Sequence, residues 1–444
     1  MDRLQVDACM QRLYITHGSM RHNQTSAWLF RFCPLIVLVL LILLACVLYP
    51  TCAVVRASGA GSRDAVASRH TKTGIDVLEE QNFAPLRGKR VGLITNHTGV
   101  DSAGRRTIDV LAHAEGVKLV VLFSPEHGLA GRMDASVPNA TDAATGLRIY
   151  SLFGETRRPT PEMLAGLDAL VYDIQDAGVR FYTYVTTIGY CMEEAAKLHI
   201  SFFVLDRPDI LGGEIIEGPM LDRDKTSFVA YFPTPVRLAM TLGELAQMFK
   251  AENHIGVDLH VVAMQNWRRS EWYDQTGLAW VAPSPNLRTL RAAFPYPGIE
   301  ILQAAGVSVG RGTDAPFEHF GAPWIHGAAL VDELNRRKIP GVSFTPAHFT
   351  PNDGLYKGQG CEGVSLVVTD RAHFRSILMG LEIIEALQRL YPQNFQIAKT
   401  IELLGSQSTV DQLQRGVDPR QIVASWFDDL TAFRAMRQKY LLYH

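Results

Sequence analysis

Two Glu-His pairs stand on glycine-punctuated loops of this 444-residue chain. Glu126-His127 lies in Ser124-Pro125-Glu126-His127-Gly128, and Glu318-His319 closes the run Gly310-Arg311-Gly312-Thr313-Asp314-Ala315-Pro316-Phe317. A carboxyl group beside a sharp backbone turn suits proton transfer, and two of them on loops from different parts of a chain can face each other across a cleft. Glycosidic bonds are commonly split by such a pair, about 5 to 5.5 Å apart when configuration is retained and about 6.5 to 9.5 Å apart when it is inverted. Between them, Asp173 to Tyr184 gathers Asp173, Gln175, Asp176, Arg180, Tyr182 and Tyr184. Carboxylates and amides hydrogen-bond to hydroxyls and aromatic rings stack on sugar faces, so this composition fits a carbohydrate better than an apolar ligand. Each group also has a structural reading: Asp and Asn are favoured helix caps, Arg180 can pair with Asp176, and Glu318 can be a surface carboxylate.

The elements that must hold these groups read as α/β. Leu119 to Phe123 is an uninterrupted β-branched and apolar run ending at Ser-Pro, the pattern of a strand buried on both faces of a parallel sheet. Strands are also predicted over Val91 to Asn96, Leu167 to Ile174, Ile200 to Leu205 and Leu259 to Ala263. Helical patterns between them cover Arg106 to Ala114, Tyr184 to Leu198 and Leu242 to Ala251. Strands separated by helices of this length argue for βαβ units. Four strand ends are polar: Asn96-His97-Thr98, Glu126-His127, Asp173 to Asp176, and Asp206-Arg207. Ligands of open α/β sheets bind beyond the carboxyl ends of the strands, so these four tips predict a cleft.

After Trp267 the rhythm gives way to aromatic and Pro-rich turns. The predicted organisation is a Rossmann-like parallel-sheet domain over 73–285 and a smaller α+β domain over 286–444, with the active-site cleft between them. The smaller domain has helices at 326–337 and 372–390, a strand at 363–368 and a C-terminal helix from Pro419 whose Trp426, Phe427, Leu430 and Phe433 share one face. Ahead of the body, Leu35 to Tyr49 is an apolar run without a charge, short for a spanning helix and typical of a signal peptide. Residues 1–60 are therefore expected to export the chain to the periplasm or medium, as a cleaved leader or a retained anchor, with 61–72 a linker.

Composition excludes other classes. A net charge of −2 with no basic stripe gives no footprint for nucleic acid. Of six cysteines only Cys191 and Cys361 fall in the body, without zinc spacing, and they read as two buried small hydrophobes. No G-x-G-x-x-G follows the first strand, and Walker A and H-E-x-x-H patterns are absent. Gly306-Val307-Ser308-Val309-Gly310 fits the nucleophile-elbow pattern, which would make Ser308 the nucleophile of a serine hydrolase, although no helix pattern follows it.

Six ordered motifs, from Val91 to Gly99, Phe123 to Gly128, Tyr172 to Tyr184, Asp206 to Asp209, Pro283 to Asn286 and Gly310 to Glu318, resemble those of the exo-β-N-acetylmuramidases of the NamZ type, glycosidases of peptidoglycan turnover. The resemblance runs from Thr73 to the C-terminus. It implies release of a terminal N-acetylmuramic acid from the non-reducing end of glycan fragments, without metal or other cofactor. By motif, Glu126 is the general acid/base, with His127 beside it. The second catalytic group is Asp173, Asp176, Glu318 or the substrate's own 2-acetamido group. The lactyl carboxylate of muramic acid asks for a bidentate Arg, Arg180 or Arg311. Asn96, His97, Gln175, Tyr182, Tyr184, Asn286 and Thr313 complete the candidate binding set. A non-catalytic muropeptide-binding protein could use the same cleft.

Overall fold

The computed structural model describes residues 70–133 and 135–444, so the apolar leader and all but the end of the linker lie outside the described residues. The last linker residues are already tied down. Thr71 N donates to Thr276 O, and Lys72 exchanges two backbone hydrogen bonds with Gln265. The body therefore starts before Thr73, because these backbone groups find protein partners instead of water.

Seven strands follow: β1 (Arg90–Thr95), β2 (Lys118–Ser124), β3 (Ala140–Thr141), β4 (Arg148–Ser151), β5 (Ala169–Asp173), β6 (Ser201–Leu205) and β7 (Leu259–Val262). They form one sheet in the order β3-β4-β2-β1-β5-β6-β7, parallel except for β3. Sequence reading misses β3 and β4 because Ile149 is their one buried apolar residue, too little for a period-two signal. From β1 the chain builds outward through β2 and β4, then returns to β1's other side with β5. The topological switch point thus lies between β1 and β5, where ligands of open α/β sheets bind.

Alternation along the strands buries both faces. Val91, Leu93, Val171, Phe203 and Leu205 pack with Ile75 and Leu78 of helix Gly74–Glu80 and Ile108 and Leu111 of helix Thr107–Ala112. Ile94, Phe123, Leu170, Tyr172 and Phe202 point the other way, against Ile188 and Met192 of helix Tyr184–Lys197. That second cluster continues into a three-stranded antiparallel sheet of β8 (His319–Ala322), β9 (Val342–Phe349) and β10 (Cys361–Val368), in the order β8-β10-β9. Phe320, Val364 and Ile383 belong to it, so the smaller sheet and its helices, Gly327–Arg337 and Ser376–Leu390, share a core with one face of the large sheet. The described residues all belong to one compact unit, and a cleft between the two sheets has walls fixed by common packing.

Two expectations change. The C-terminal helix is broken at Trp426 into Pro419–Ser425 and Phe427–Arg437; Trp426, Leu430 and Phe433 continue the buried stripe of Pro419 and Ile422 at three- and four-residue spacing, while Phe427 lies beside that stripe and faces solvent. The helix expected from Ala372 begins at Ser376, because the Asp370 carboxylate accepts from Ala372 N (3.0 Å) and holds the preceding residues in a turn. Cys191 and Cys361 are free and buried, as their type suggests. Among the described residues no helix is long and apolar enough to cross a membrane.

Candidate active site

β2 delivers Glu126 to the carboxyl edge of the sheet. His127 (φ 69°) and Gly128 (φ 72°) both adopt the left-handed conformation, which folds the loop back on itself. The loop is then closed by His127 Nδ1–H donating to Met133 O (2.7 Å) and by Arg132 N and Met133 N donating to His127 O. Gly131, also left-handed, rests on the imidazole of His97, and a Cβ there would overlap that ring. His97 Nε2 lies 2.6 Å from Ala282 O, so Nε2 carries the proton, and burial holds the ring below its usual pKa.

The Glu126 side chain is half-buried and is oriented by Thr183, whose Oγ1 donates to Oε2 at 2.6 Å. Thr183 occupies the N-cap position of helix Tyr184–Lys197, so this carboxyl group lies at the positive end of a 14-residue helix. The next residue, Tyr184, accepts from Asn96 Nδ2 (2.9 Å) and directs its hydroxyl to Pro283 O (3.0 Å) and Glu126 O (3.4 Å). One phenol thereby joins the ends of β1 and β2 to the Pro283–Asn286 turn. Burial raises its pKa, and the Glu126 charge adds to the effect.

Glu126, His127, Tyr182, Thr183 and Ser284 line a cavity of about 150 Å³ whose opposite wall comes from the C-terminal half, with Tyr296, Glu300, Arg311 and Phe317. Arg311 Nη2 donates to Glu300 Oε1 (2.7 Å), and its guanidinium lies 5.3 Å from the Phe317 ring centroid. Tyr296 is edge-on to both Phe317 (4.8 Å) and Tyr182 (6.2 Å). Burial pushes the Tyr296 hydroxyl well above its usual range; the charge of Glu300 adds most to that, those of Glu126 and Asp176 add less, and Arg311 opposes them. Acidic, cationic and aromatic groups therefore meet on one small surface, a chemistry suited to a hydroxylated, anionic ligand.

The structure separates the remaining candidates. Asp173 is fully buried in a bidentate pair with Arg207, Nε to Oδ1 at 2.6 Å and Nη2 to Oδ2 at 3.0 Å, with Thr107 donating to Oδ2 as well. It fixes the end of β5 and does not line the cavity. Gln175 is a brace between loops, its Nε2 donating to Pro208 O (2.7 Å) and Asp176 O (3.1 Å). Arg180 does not pair with Asp176. It is buried and gives its four contacts to the carbonyls of Pro219, Thr234, Leu403 and Leu404. Burial pulls its pKa down to about 9. Glu318 is held by Arg291 and accepts from Thr289 Oγ1 (3.1 Å), outside the cavity wall. Thr313 donates to Gly310 O (2.6 Å) and shapes the loop that presents Arg311. Asn286 is buried just beyond Ser284.

Asp176 is the unusual carboxyl group. Its Oδ2 accepts from Gly178 N (2.7 Å), its Oδ1 is buried with no hydrogen-bond partner, and burial, helped by nearby Asp209, pushes its pKa to about 8. It is protonated at neutral pH. Ser308 is no elbow nucleophile: it is buried, its backbone bridges Gly321 in extended conformation, and a turn follows it instead of a helix.

Sequence reading does not single out Thr183, Tyr296 or Glu300. Thr183 sits inside the Tyr-Thr-Tyr run at the N-cap position, where a threonine is an ordinary structural residue, although its hydroxyl is given to Glu126 and caps nothing. Glu300 carried one signal, a lone charge in the apolar stretch Tyr296 to Leu302.

Residues 91–291 match the family model described as exo-β-N-acetylmuramidase NamZ, N-terminal, and residues 294–443 match the one described as exo-β-N-acetylmuramidase NamZ, C-terminal. The chain is 42% identical over 377 residues to the peptidoglycan β-N-acetylmuramidase NamZ of Bacillus subtilis strain 168, an alignment covering 84% of this chain and 91% of that protein. Among solved structures it resembles two DUF1343 family proteins of Bacteroides fragilis NCTC 9343. One has a TM-score of 0.78 at 40% identity, covering 85% of this chain and 100% of that one. The other has a TM-score of 0.70 at 28% identity, covering 84% and 99%.

Proposed function

The chain belongs to the exo-β-N-acetylmuramidase NamZ family, and from that premise we propose that it hydrolyses the bond holding a terminal N-acetylmuramic acid at the non-reducing end of peptidoglycan fragments, in the cavity shared by Glu126 and Arg311. The observation that carries the site assignment is that this acid and this cation line one small aromatic-walled cavity beside the topological switch point.

Thr183 engages Oε2 of Glu126 and fixes the plane of the carboxyl group, so Oε1 is the atom assigned to hand a proton to the leaving glycosidic oxygen. Arg311, steadied by Glu300, reads the lactyl carboxylate, and Tyr182, Tyr296 and Phe317 pack against the sugar ring. Asp173 and Glu318 are each held by an arginine, and Asp176, whose pKa burial pushes to about 8, keeps its proton and lies outside the cavity lining. The attacking group is therefore assigned to the substrate's 2-acetamido oxygen, a known departure from the two-carboxylate scheme. Turnover of a chromogenic N-acetylmuramide by the purified protein tests the reading. Glu126→Gln should lower kcat by about 10² to 10⁴ with the circular-dichroism spectrum unchanged. Binding of the sugar without turnover by the wild type would mark a binding protein, and a wild-type rate in Glu126→Gln would remove Glu126 from the role.

The apolar run Leu35 to Tyr49 supports a second proposal, that the body acts outside the cytoplasm, where peptidoglycan fragments arise. Alkaline phosphatase fused after residue 70 should then be active in a bacterial host; an inactive fusion beside soluble cytosolic protein would refute export.

A further inference from the structure

Glu126 is flanked by two loops, and an aromatic pair joins them. On one side, the loop that follows His127 runs to Val137, whose N donates to Phe153 O at 2.8 Å. On the other, Val229 lines the Glu126 cavity and Phe228 directly precedes it. Phe153 and Phe228 meet with ring centroids 5.9 Å apart, and Tyr190, on the helix that Thr183 precedes, lies 6.1 Å from Phe228. Both phenylalanines are only partly buried. Arg157 is exposed and lies across them, its guanidinium 4.1 Å from the Phe228 centroid and 5.5 Å from that of Phe153. Its neighbour Arg158 is neutralised by Glu193 and Glu194, whereas Arg157 has no carboxylate partner among the described residues.

Resting on the reading of the Glu126 cavity as the site of bond cleavage, we propose that Phe153, Phe228 and Arg157 form a distal subsite for the leaving portion of the glycan, with Arg157 recognising the lactyl carboxylate of its next muramic acid. Phe228 adjoins the cavity through Val229 and Phe153 packs on Phe228, so a chain leaving Glu126 past Val229 meets the pair. Partly exposed rings offer faces to the apolar side of a sugar. Peptidoglycan strands alternate N-acetylglucosamine with N-acetylmuramic acid, so the second sugar beyond the scissile bond carries a carboxylate, and an unneutralised guanidinium is the complementary charge. The rings fix that guanidinium in place, which reduces the side-chain entropy lost on binding. The enzyme would accordingly favour longer peptide-free fragments over the disaccharide.

The test compares kcat/KM for the tetrasaccharide of two alternating repeats, the disaccharide, and a chromogenic N-acetylmuramide, whose aglycone ends before the platform. For an exposed charge and ring contact, Arg157→Ala and Phe228→Ala should each lower tetrasaccharide kcat/KM by roughly three- to tenfold while chromogenic turnover stays at the wild-type level. Arg157→Lys should restore part of the loss. Raising ionic strength should erode the tetrasaccharide preference of the wild type but not of Arg157→Ala, because the pair is screened. Equal losses on all three substrates, or no loss on the tetrasaccharide, would overturn the subsite. A wild type that fails to turn over the chromogenic muramide would instead overturn the assignment of the cavity itself.

Discussion

Arg180→Met separates a structural arginine from a substrate-reading one. Arg180 binds Pro219 O (3.2 Å), Thr234 O (2.5 Å), Leu403 O (2.9 Å) and Leu404 O (2.8 Å). Leu403 and Leu404 form the last turn of the short helix Ile401–Leu404, so the cation also meets the negative end of that helix. Methionine keeps most of the volume and removes the donors. Each carbonyl left dry costs about 1–3 kcal/mol. Against this, removing a guanidinium that burial holds at a pKa of about 9 relieves several kcal/mol of desolvation. The net destabilisation should be about 3–5 kcal/mol, the range for breaking a buried charged network. Urea unfolding measures it, and calorimetry measures the affinity for N-acetylmuramic acid against N-acetylglucosamine. Arg180→Met should lose stability and keep the ratio of affinities. Arg311→Ala, which breaks the pair with Glu300, should lose less stability than Arg180→Met and lower the ratio roughly 10- to 100-fold, the weight of hydrogen bonds between charged groups. If Arg180→Met changed the ratio while leaving stability intact, the assignment of the two arginines would be refuted.

Gly131→Ala places a methyl group in the His97 ring and a side chain in left-handed backbone. It should cost about 2–3 kcal/mol in unfolding experiments, the sum of roughly 1–2 for the conformation and about 1 for the His97–Ala282 hydrogen bond with its surroundings. It should also slow turnover, since the same loop carries Glu126; a wild-type Tm would show that the loop yields. Asp176 has a folded-state pKa near 8, raised above its unfolded value, so the native state holds the extra proton between about pH 4 and 8. Its contribution to stability is complete below about pH 4 and is lost as pH rises towards 8. Asp176→Asn should flatten the fall in Tm across that interval, and an unchanged pH profile would show that Asp176 is ionised in the fold.

Sequence determined the sheet because its information is local and repeated. The apolar runs at β1, β2, β5 and β6 each state burial on both faces, and the polar residues after them state where the cleft opens. Glu126 was legible for the same reason, as a carboxyl group at the end of a strand between Pro125 and Gly128. The motif from Tyr172 to Tyr184 supplies Phe181, Tyr182 and Thr183 to the cavity, but its sequence does not rank its members. Only the tertiary structure decided which charges are consumed, since a salt bridge depends on partners far apart in the chain. Arg207 takes Asp173, carbonyls as distant as Leu404 take Arg180, and Arg291 takes Glu318. The same long-range packing supplied what sequence did not single out, bringing Glu300 and Tyr296 from the second half of the chain to face Glu126 across one cavity. Residue type fixes what a side chain is able to do. Which of those capacities stays available is fixed by its neighbours, and in this fold those come from both halves of the chain.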